Sequence, residues 1–288
     1  MELSDLKVFL AVVEQGGVNR AAEQLHRVPS NITARIKKLE SDLGQDLFVR
    51  ERNRLTLSSA GHQLTHYAKS MLAMAHEARE KINNHTEAGQ LKVGAMEAVA
   101  ASRLSPVLKT FHQQHPKTQL QVATGPTGML VDQIEAGELD IALVADIRPT
   151  ARLHSVPVFS EKLTLVSATS HPPIKRPSDI QPAASLLAFN PLCAYRARFL
   201  QWLGTQTVQH KVIEIQSYHG LLNCVAAGMG VGVVPENVLA LYPFVDDLAQ
   251  HALPKKIADS RTWAISQKGK QTSQIEGFYN VLNGFGDV

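Results

Sequence analysis

The chain has 288 residues, of which 44% are hydrophobic and 19% charged, and its formal net charge is +3 at pH 7 with 12 histidines counted neutral. This length accommodates two or three compact domains of ordinary globular composition, and no stretch approaches the ~20 apolar residues that a transmembrane helix needs. Because the net charge is small, any contact with nucleic acid must be local rather than spread over the whole surface.

Two short helices are predicted at the start of the chain. The first covers residues 3–14, because apolar side chains recur there at three- and four-residue spacing and form a single stripe. The stripe consists of Leu6, Phe9, Leu10 and Val13. In the second helix Asn19 can serve as the N-cap through its side-chain oxygen, and the small, closely packing face consists of Ala21, Ala22 and Leu25.

A third helix is predicted to begin at Pro29, since the missing N–H of proline has no intrahelical partner in a first turn. Its buried stripe consists of Ile32, Ile36, Leu39 and Leu43. Successive residues turn by about 100°, so the other side of the helix carries polar and basic groups. Such a face suits the DNA major groove, where each good pairing of Asn or Arg with a base gives ~1–3 kcal/mol of discrimination. The residues assigned to DNA contact here are Arg27, Pro29, Ser30, Asn31, Thr33, Arg35 and Lys38.

A short basic hairpin is predicted after Gly44, which ends the third helix. Its strands cover residues 48–50 and 55–57, and the side chains assigned to phosphate contact are Arg50, Arg52 and Arg54. Residues 20–54 hold eight Lys or Arg against five acids, so charge alone leaves a solvated three-helix domain as the alternative. The order of turn, recognition helix and basic wing favours a DNA-binding winged helix-turn-helix.

A long helix is predicted next, because residues 62–84 contain neither Gly nor Pro. Apolar residues recur in it at alternating four- and three-residue steps, as in the seam between two paired helices. The seam consists of Leu64, Ala68, Met71, Ala75, Ala78 and Ile82. In the alternative, the helix packs on its own domain through a second face with Tyr67, Leu72 and Met74.

The remainder of the chain, beyond a polar hinge at residues 83–90, alternates predicted strands with helical segments. Such alternation favours α/β units with parallel strands. The predicted strands cover residues 91–95, 120–123, 139–144, 162–168, 212–215, 230–234 and 263–266, and helices are predicted at residues 196–203, 220–227 and 272–282.

The first 61 residues carry several motifs in a fixed order. They are L-x-x-F at residues 6–9, A-A-E-x-L-H at 21–26, I-x-x-L-E at 36–40, L-G-x-x-L-F-x-R at 43–50 and L-S-x-A-G at 57–61. This set resembles the N-terminal domain of LysR-type transcriptional regulators.

One departure from the family concerns the start of the recognition helix. The family usually has Ser-Gln-Pro-Ala there, whereas residues 28–31 of this chain read Val-Pro-Ser-Asn, and Ala34 stands where an Arg is common. We therefore expect the base contacts to come from Ser30, Asn31 and Arg35. The chain also resembles the putrescine-utilisation regulators of this family, in the Val-Pro-Ser-Asn sequence of residues 28–31, in the basic wing and in Met96-Glu97.

Two looser motifs lie in the C-terminal part, G-E-L-D-I-A-L at residues 137–143 and V-A-A-G-M-G-V-G-V-V-P at residues 225–235. They resemble the two-lobed, periplasmic-binding-protein-like effector domain of the same family. The resemblance implies an α/β protein with a winged helix-turn-helix at residues 1–61, a linker helix and hinge at 62–88, and an effector domain at 89–288, whose lobe I covers about 89–160 and 263–288 and lobe II about 161–262.

The resemblance also implies the partners of the chain. We expect a homodimer or homotetramer with antiparallel or crossed linker helices. Two recognition helices would then lie on half-sites about one turn of DNA apart, and the target would be an imperfect palindrome of double-stranded DNA. RNA polymerase is a further expected partner.

The effector is expected at the carboxyl ends of the strands, where ligands of open α/β sheets bind. The residues assigned to it are Glu97, Ala98, Val99, Thr124, Thr127, Gly128, Phe189, Asn190, Tyr218 and His219. Thr127 and Gly128 begin a helix, so a hydroxyl and N–H groups there could hold a carboxylate; helix capping is the alternative for Thr127. Glu97 favours an amine instead, unless it pairs with Arg103. We therefore expect the effector to be an amine or a carboxylate.

Catalytic motifs of the G-x-S-x-G, P-loop and H-E-x-x-H types do not occur in the sequence. His62 and His66 lie one helical turn apart and provide half of a metal site without a third ligand. We expect a transcriptional regulator without catalytic activity, metal or cofactor. A lone solute-binding protein is one alternative, and a DNA-binding repressor whose C-terminal lobes only oligomerise is another.

The expected location is the cytoplasm. The chain starts with an amphipathic helix that has Glu2 before it and Asp5 in its first turn, and a signal peptide does not have this pattern. The two cysteines, Cys193 and Cys224, form no C-x-x-C motif and are typical of a reducing compartment. Core packing explains them better than peroxide sensing, an alternative that some relatives suggest.

Overall fold

The computed structural model describes residues 1–51, 54–83, 89–147 and 150–287, without the side chains of residues 50, 51, 54, 76, 77 and 79–83. The chain divides into two compact units, the first with residues 1–85 and 136–138 and the second with residues 86–135 and 139–288. Each has its own hydrophobic core. None of the described helices combines the length and hydropathy that crossing a lipid bilayer requires.

The N-terminal unit consists of helices and a small hairpin. Its elements are α1 (Leu3–Gln15), α2 (Val18–Gln24), α3 (Pro29–Leu43), β1 (Phe48–Glu51), β2 (Arg54–Leu57) and α4 (Ser59–Asn83). The side chains of Leu6, Phe9, Ile32 and Leu39 are almost completely buried in its core, as the apolar stripes predict. β1 and β2 are antiparallel, with Phe48 opposite Leu57.

The ends of these helices follow local rules with two exceptions. Gly16 and Gly44 end α1 and α3 in the left-handed conformation, with φ of 62° and 64°, which glycine adopts without steric cost. The predicted cap at Asn19 is wrong, because Gly17 is the N-cap and Asn19 lies within α2. Leu43 is exposed rather than buried, since it is the last residue of α3 and extends beyond the core.

Helix α4 begins at Ser59, three residues before its predicted start, and it uses part of the predicted dimer seam inside its own unit. Leu64 and Ala68 are buried against the core formed by α1 and its neighbours. On another face of α4, Tyr67 and Met74 are 63% and 70% exposed. The first half of α4 therefore packs on its own unit, but it does so through the seam residues Leu64 and Ala68 and not through the second face, where Tyr67 and Met74 remain accessible. Predicted hinge residues 84–88 lie outside the described residues.

The C-terminal unit alternates strands and helices. Its elements are β3 (Gln90–Ala95), α5 (Glu97–Ser102), α6 (Leu104–Gln114), β4 (Gln119–Thr124), α7 (Thr127–Glu135), β5 (Ile141–Ala145), β6 (Leu153–Ala168), β7 (Ser185–Ala188), α8 (Ala194–Leu203), β8 (Val212–Glu214), α9 (Tyr218–Ala226), β9 (Gly230–Pro235), α10 (Glu236–Leu239), β10 (Leu248–His251), α11 (Lys255–Ala258), β11 (Asp259–Gln267) and α12 (Ser273–Asn283).

The strands form two groups that share β6. In the first group, which we call lobe I, β3 is parallel to β4 and β5, and β11 is antiparallel to β5 and to the first part of β6. In the second group, lobe II, β7 is parallel to β8 and β9, and the last part of β6 is antiparallel to β9 and β10. The expected parallel pairing therefore holds for β3–β5 and β7–β9 but not for β6, β10 and β11.

Two strands are longer than the sequence indicated. β6 starts at Leu153 rather than residue 162. The sequence did not indicate its first part, because this part mixes polar residues and Pro157 with apolar ones and lacks a regular alternation. β11 starts at Asp259 rather than Trp263, with a register shift between Thr262 and Trp263. The return of the chain to lobe I consequently begins four residues earlier than predicted.

Candidate functional sites

The first candidate site is the exposed face of α3. Ser30, Asn31 and Thr33 are all exposed there, while Ile32 on the opposite side is fully buried. Arg27 donates to Oδ1 of Asn31 at 3.2 Å, and the Thr33 hydroxyl donates to the carbonyl of Pro29 at 3.0 Å. Burial of the opposite side fixes the position of α3, so its short polar side chains can reach the edges of DNA bases.

Val28, the N-cap of α3, makes no side-chain capping hydrogen bond, as expected for an apolar residue at this position. Pro29 occupies the first turn, where its missing N–H costs nothing. The start of α3 is therefore fixed by proline and by backbone bonds from Asn31 and Ile32 to the carbonyl of Val28.

Arg35 points back toward α1 instead of away from the domain. Its Nη1 donates to Oδ1 of Asp5 at 2.7 Å and to the Ser4 hydroxyl at 3.0 Å. The Asp5 side chain is completely buried, whereas that of Arg35 is 30% exposed. Lys38 lies beside the pair, with Nζ 2.8 Å from Glu2 and 3.8 Å from Asp5. A direct contact of Arg35 with guanine would require it to leave Asp5.

The hairpin of the predicted wing is present as β1 and β2, with Arg50 opposite Leu55 and Glu51 opposite Arg54. The side chains of Arg50 and Arg54 and all of Arg52 lie outside the described residues. Thr56 donates its hydroxyl to the carbonyl of Val49 across the hairpin at 3.3 Å, which supports the strand register.

The second candidate site is a cavity of about 340 Å³ between lobes I and II of the C-terminal unit. Seven of the ten residues assigned to the effector line it: Glu97, Ala98, Thr124, Thr127, Phe189, Asn190 and Tyr218. The other three do not. Val99 is fully buried in the core, His219 is exposed, and Gly128 packs against the side chain of Leu192.

Seven lining residues were not assigned from the sequence: Met96, Gly125, Pro126, Met129, Cys193, Tyr195 and Gln216. Met96, Gly125 and Pro126 lie at the same strand ends as the assigned residues Glu97 and Thr124. Met129 and Tyr195 come from the first turns of α7 and α8, which a rule restricted to strand ends does not reach.

Glu97 bridges the two lobes. Both of its carboxylate oxygens lie 3.1 Å from the backbone nitrogen of Tyr218, which donates to them at the start of α9. Burial raises the pKa of the Glu97 carboxyl, while the Tyr218 N–H and the nearby His219 act in the opposite direction. The pairing of Glu97 with Arg103 is wrong, because Arg103 binds Glu161 and Asp287 instead, each at 3.2 Å.

The start of α7 makes contacts across the same cleft. The Thr127 hydroxyl donates to the sulfur of Met96 at 3.3 Å, and the Gly128 N–H donates to the carbonyl of Leu192 at 3.1 Å. Tyr218 is buried and packs on Phe189 with ring centroids 4.7 Å apart. Tyr218 is therefore both a lining aromatic and part of the core.

A guanidinium joins the lobes at another point. Arg198 of α8 makes a bidentate ion pair with Asp146, which follows β5, and its Nη1 also donates to three main-chain carbonyls. Asp146 has a φ of 55°, a left-handed conformation that is uncommon for a residue with a side chain. Its carboxylate also accepts a bond from Ser260 at 3.2 Å.

The two cysteines are free thiols. Cys193 lines the cavity, and burial raises the pKa of its thiol. A raised pKa lowers the fraction of thiolate, which is the form that reacts with peroxide. The site therefore gives no support to a redox role for Cys193.

Comparisons with known proteins agree with this architecture. Residues 3–62 match the family described as "Bacterial regulatory helix-turn-helix protein, lysR family", and residues 84–285 match "LysR substrate binding domain". The HTH-type transcriptional regulator YofA of Bacillus velezensis is 34% identical over 288 residues, covering 99% of this chain and 97% of that protein.

Solved structures of a LysR family transcriptional regulator, CbnR, have a similar fold. One covers 100% of both chains with a TM-score of 0.70 and 22% identity, and one complexed with target DNA covers 99% of both with a TM-score of 0.66 and 22% identity. The chain belongs to the LysR family, and it is a DNA-binding transcriptional regulator with a substrate-binding domain rather than an enzyme.

Proposed function

We propose that this regulator reads its operator through Ser30, Asn31 and Thr33 of α3. The observation that carries the proposal is the exposed polar face of α3 opposite the buried Ile32. Short side chains on a helix of fixed position can reach base edges in the major groove. Pro29 would approach the DNA at the start of the same helix.

Basic side chains around α3 would bind the phosphate backbone. They are Arg27, Lys38, Arg50, Arg52 and Arg54. Phosphate contacts fix the register and orientation of a protein on DNA without reading the sequence. We assign Arg35 a positioning role, because its guanidinium is bound to the buried Asp5.

We further propose that the chain forms a homodimer or homotetramer through α4. Tyr67, Met74 and Ala78 are exposed on this helix at steps of seven and four residues, a spacing that places them along one helix face. A dimer would match an imperfect palindrome, and the DNA complex of CbnR shows that a protein of this fold binds its target DNA. Contact with RNA polymerase belongs to the same proposal.

The cavity of the C-terminal unit is the proposed effector site. The cavity is lined by side chains of both lobes. The Glu97–Tyr218 and Gly128–Leu192 hydrogen bonds connect the two lobes beside it. A small amine or carboxylate bound there would change how the lobes close, and through the oligomer the spacing of the recognition helices. Residues 1–61, 62–88 and 89–288 remain our proposed division into DNA-binding, linker and effector regions.

Footprinting of the DNA upstream of its own coding sequence tests the proposal, with and without candidate amines and carboxylates. We expect a protected imperfect palindrome whose extent changes with one of these compounds. No preference over random competitor DNA would contradict the DNA-reading assignment. A specific footprint and a melting temperature that no metabolite alters would favour a repressor whose lobes only oligomerise.

A further inference from the structure

We infer that the cleft selects a compact cationic effector whose ammonium group binds Glu97, and that it discriminates against carboxylates. This inference rests on the proposed function, in which the cleft is the effector site. It narrows the amine-or-carboxylate alternative to one class of ligand.

The charge of the cavity lining favours a cationic ligand. Among the described residues around the cavity, Glu97 is the one acidic side chain, and none is Lys, Arg or His. The carboxylate is half-buried, so its charge is weakly screened there. A second carboxylate would face Glu97 with no cationic side chain among these lining residues, whereas an ammonium would supply a counter-ion.

Several hydrogen-bond donors of the cleft are already used within the chain. The donors best suited to a carboxylate ligand would be the backbone N–H groups and the hydroxyl at the starts of α7 and α9. At α7, the Thr127 hydroxyl and the Gly128 N–H already donate to Met96 and Leu192. At α9, the Tyr218 N–H donates to Glu97, and the Gly220 N–H donates to the Ser217 hydroxyl. These four donors therefore already have acceptors within the chain.

Glu97 retains capacity for a ligand. A carboxylate offers about four lone-pair sites, and the Tyr218 N–H is shared between both Glu97 oxygens at 3.1 Å. An ammonium can therefore bind without breaking the bond between the lobes. The packed rings of Phe189 and Tyr218 provide aromatic surface in the same cavity, which favours a cation or an apolar ring.

The rest of the polar lining does not select charge. Thr124, Asn190 and Gln216 are neutral and can bind a hydroxyl or amide of any ligand. At about 340 Å³ the cavity lies near the lower end of ligand pockets. The ligand should therefore be compact, and the choice between cation and anion depends on Glu97.

Three probes with one skeleton test the inference: benzylamine, benzoate and benzyl alcohol, titrated into the full chain. Labelling methionine methyl groups with 13C gives six possible signals, of which Met96 and Met129 report on the cavity because they line it. Met96→Leu and Met129→Leu assign the two signals. We expect benzylamine to shift both signals with a Kd at least about tenfold lower than that of benzoate.

The Glu97→Gln variant is the decisive comparison, because its amide oxygen can still accept the Tyr218 N–H while the charge is lost. We expect the preference for benzylamine to disappear in it and to persist in Asp132→Asn, which removes an exposed acid of α7 that does not line the cavity. Benzoate binding at the two methionines as tightly as benzylamine, or an unchanged preference in Glu97→Gln, would overturn the inference alone. If no probe moves either methionine signal, the proposed effector site fails with it.

Discussion

The guanidinium of Arg35 in α3 donates to the carboxylate of Asp5 in α1 at 2.7 Å, and the Asp5 side chain has no exposed surface. Oδ2 of Asp5 has no hydrogen-bond partner within the described structure, and Nζ of Lys38 lies 3.8 Å from it. A buried carboxylate is costly unless it is paired. The charge of Asp5 therefore holds α3 against α1, and Arg35 is the main partner.

We predict that Arg35→Ala lowers the free energy of unfolding of the N-terminal unit by about 1–3 kcal/mol, because it leaves Asp5 buried without its main partner. The figure allows for the partial exposure of Arg35. Urea denaturation of the full chain measures this free energy when a spectroscopic probe in the N-terminal unit monitors the transition. Lys37→Ala, an exposed residue of the same helix, is the control. An Arg35→Ala variant as stable as this control, but deficient in operator preference, would make Arg35 a base-reading residue instead.

Asn31→Ala should weaken binding to the operator by about 1–3 kcal/mol and change binding to a scrambled duplex little. The reason is that Asn31 is exposed on α3 and oriented by Arg27. Fluorescence anisotropy with both duplexes at one salt concentration gives the two affinities. Equal losses on the two duplexes would assign Asn31 to the phosphate backbone.

Arg52→Ala and Arg54→Ala should each reduce the slope of log K against log salt by about one unit, as expected for the loss of one phosphate contact. Titrations of the operator at several salt concentrations measure the slope. Glu23→Gln, at an exposed position of α2, controls for general changes in surface charge. A slope that does not change in either arginine variant would remove the hairpin from the DNA interface.

Stability should fall at acidic pH through His251. Its Nε2 lies 2.8 Å from the Ser167 hydroxyl, and its Nδ1 accepts the Ile174 N–H at 3.1 Å, so the ring is bound in its neutral form. Burial, with a smaller effect of His171, lowers the pKa of His251 below its ordinary value. The folded state thus resists protonation, and its stability is complete above the unfolded pKa of about 6.5 and declines as pH falls through the folded value.

Thermal melts of the full chain between about pH 7.5 and pH 5 test this expectation. His251→Gln should melt at a lower temperature at neutral pH and with a weaker pH dependence than the unmodified chain. His112→Gln, which alters an exposed histidine of α6, should keep the original dependence. If His251→Gln loses as much stability on acidification as the unmodified chain, another group is responsible.

Met74→Glu should weaken the proposed oligomer, because it introduces a charge into the exposed apolar stripe of α4. We expect sedimentation to show more monomer at a given concentration than for the unmodified chain. Gln63→Glu, another exposed position of the helix, should leave the distribution unchanged. A distribution that is the same in both variants would place the subunit contact elsewhere.

The sequence predicted features that depend on local chemistry. Gly16 and Gly44 end their helices because only glycine adopts the left-handed conformation at little cost, and this is readable from single residues. The motifs in the first 61 residues, with the looser ones at residues 137–143 and 225–235, identified the family, which the comparisons confirm. Strand ends also led to seven lining residues, since the topology of parallel units fixes where such ends meet.

Features that depend on packing between residues far apart in the sequence could not be predicted from local patterns. A helical wheel places Arg35 away from the core, but its long side chain reaches Asp5, thirty residues earlier. The four–three spacing of Leu64 and Ala68 is the same for a partner helix and for the chain's own core, so spacing does not identify the neighbour. Tyr195 enters the cavity because lobe II folds against lobe I, and no local pattern marks it, whereas Gln216 directly follows the strand predicted at residues 212–215.

The sharing of β6 has a consequence for experiments that divide the protein. Its first part completes the sheet of lobe I beside β11, and its last part lies between β9 and β10. A cut or truncation within β6 would deprive both sheets of a strand at once. The two lobes should therefore not be separable into autonomous fragments, and calorimetry of the C-terminal unit should record a single cooperative transition.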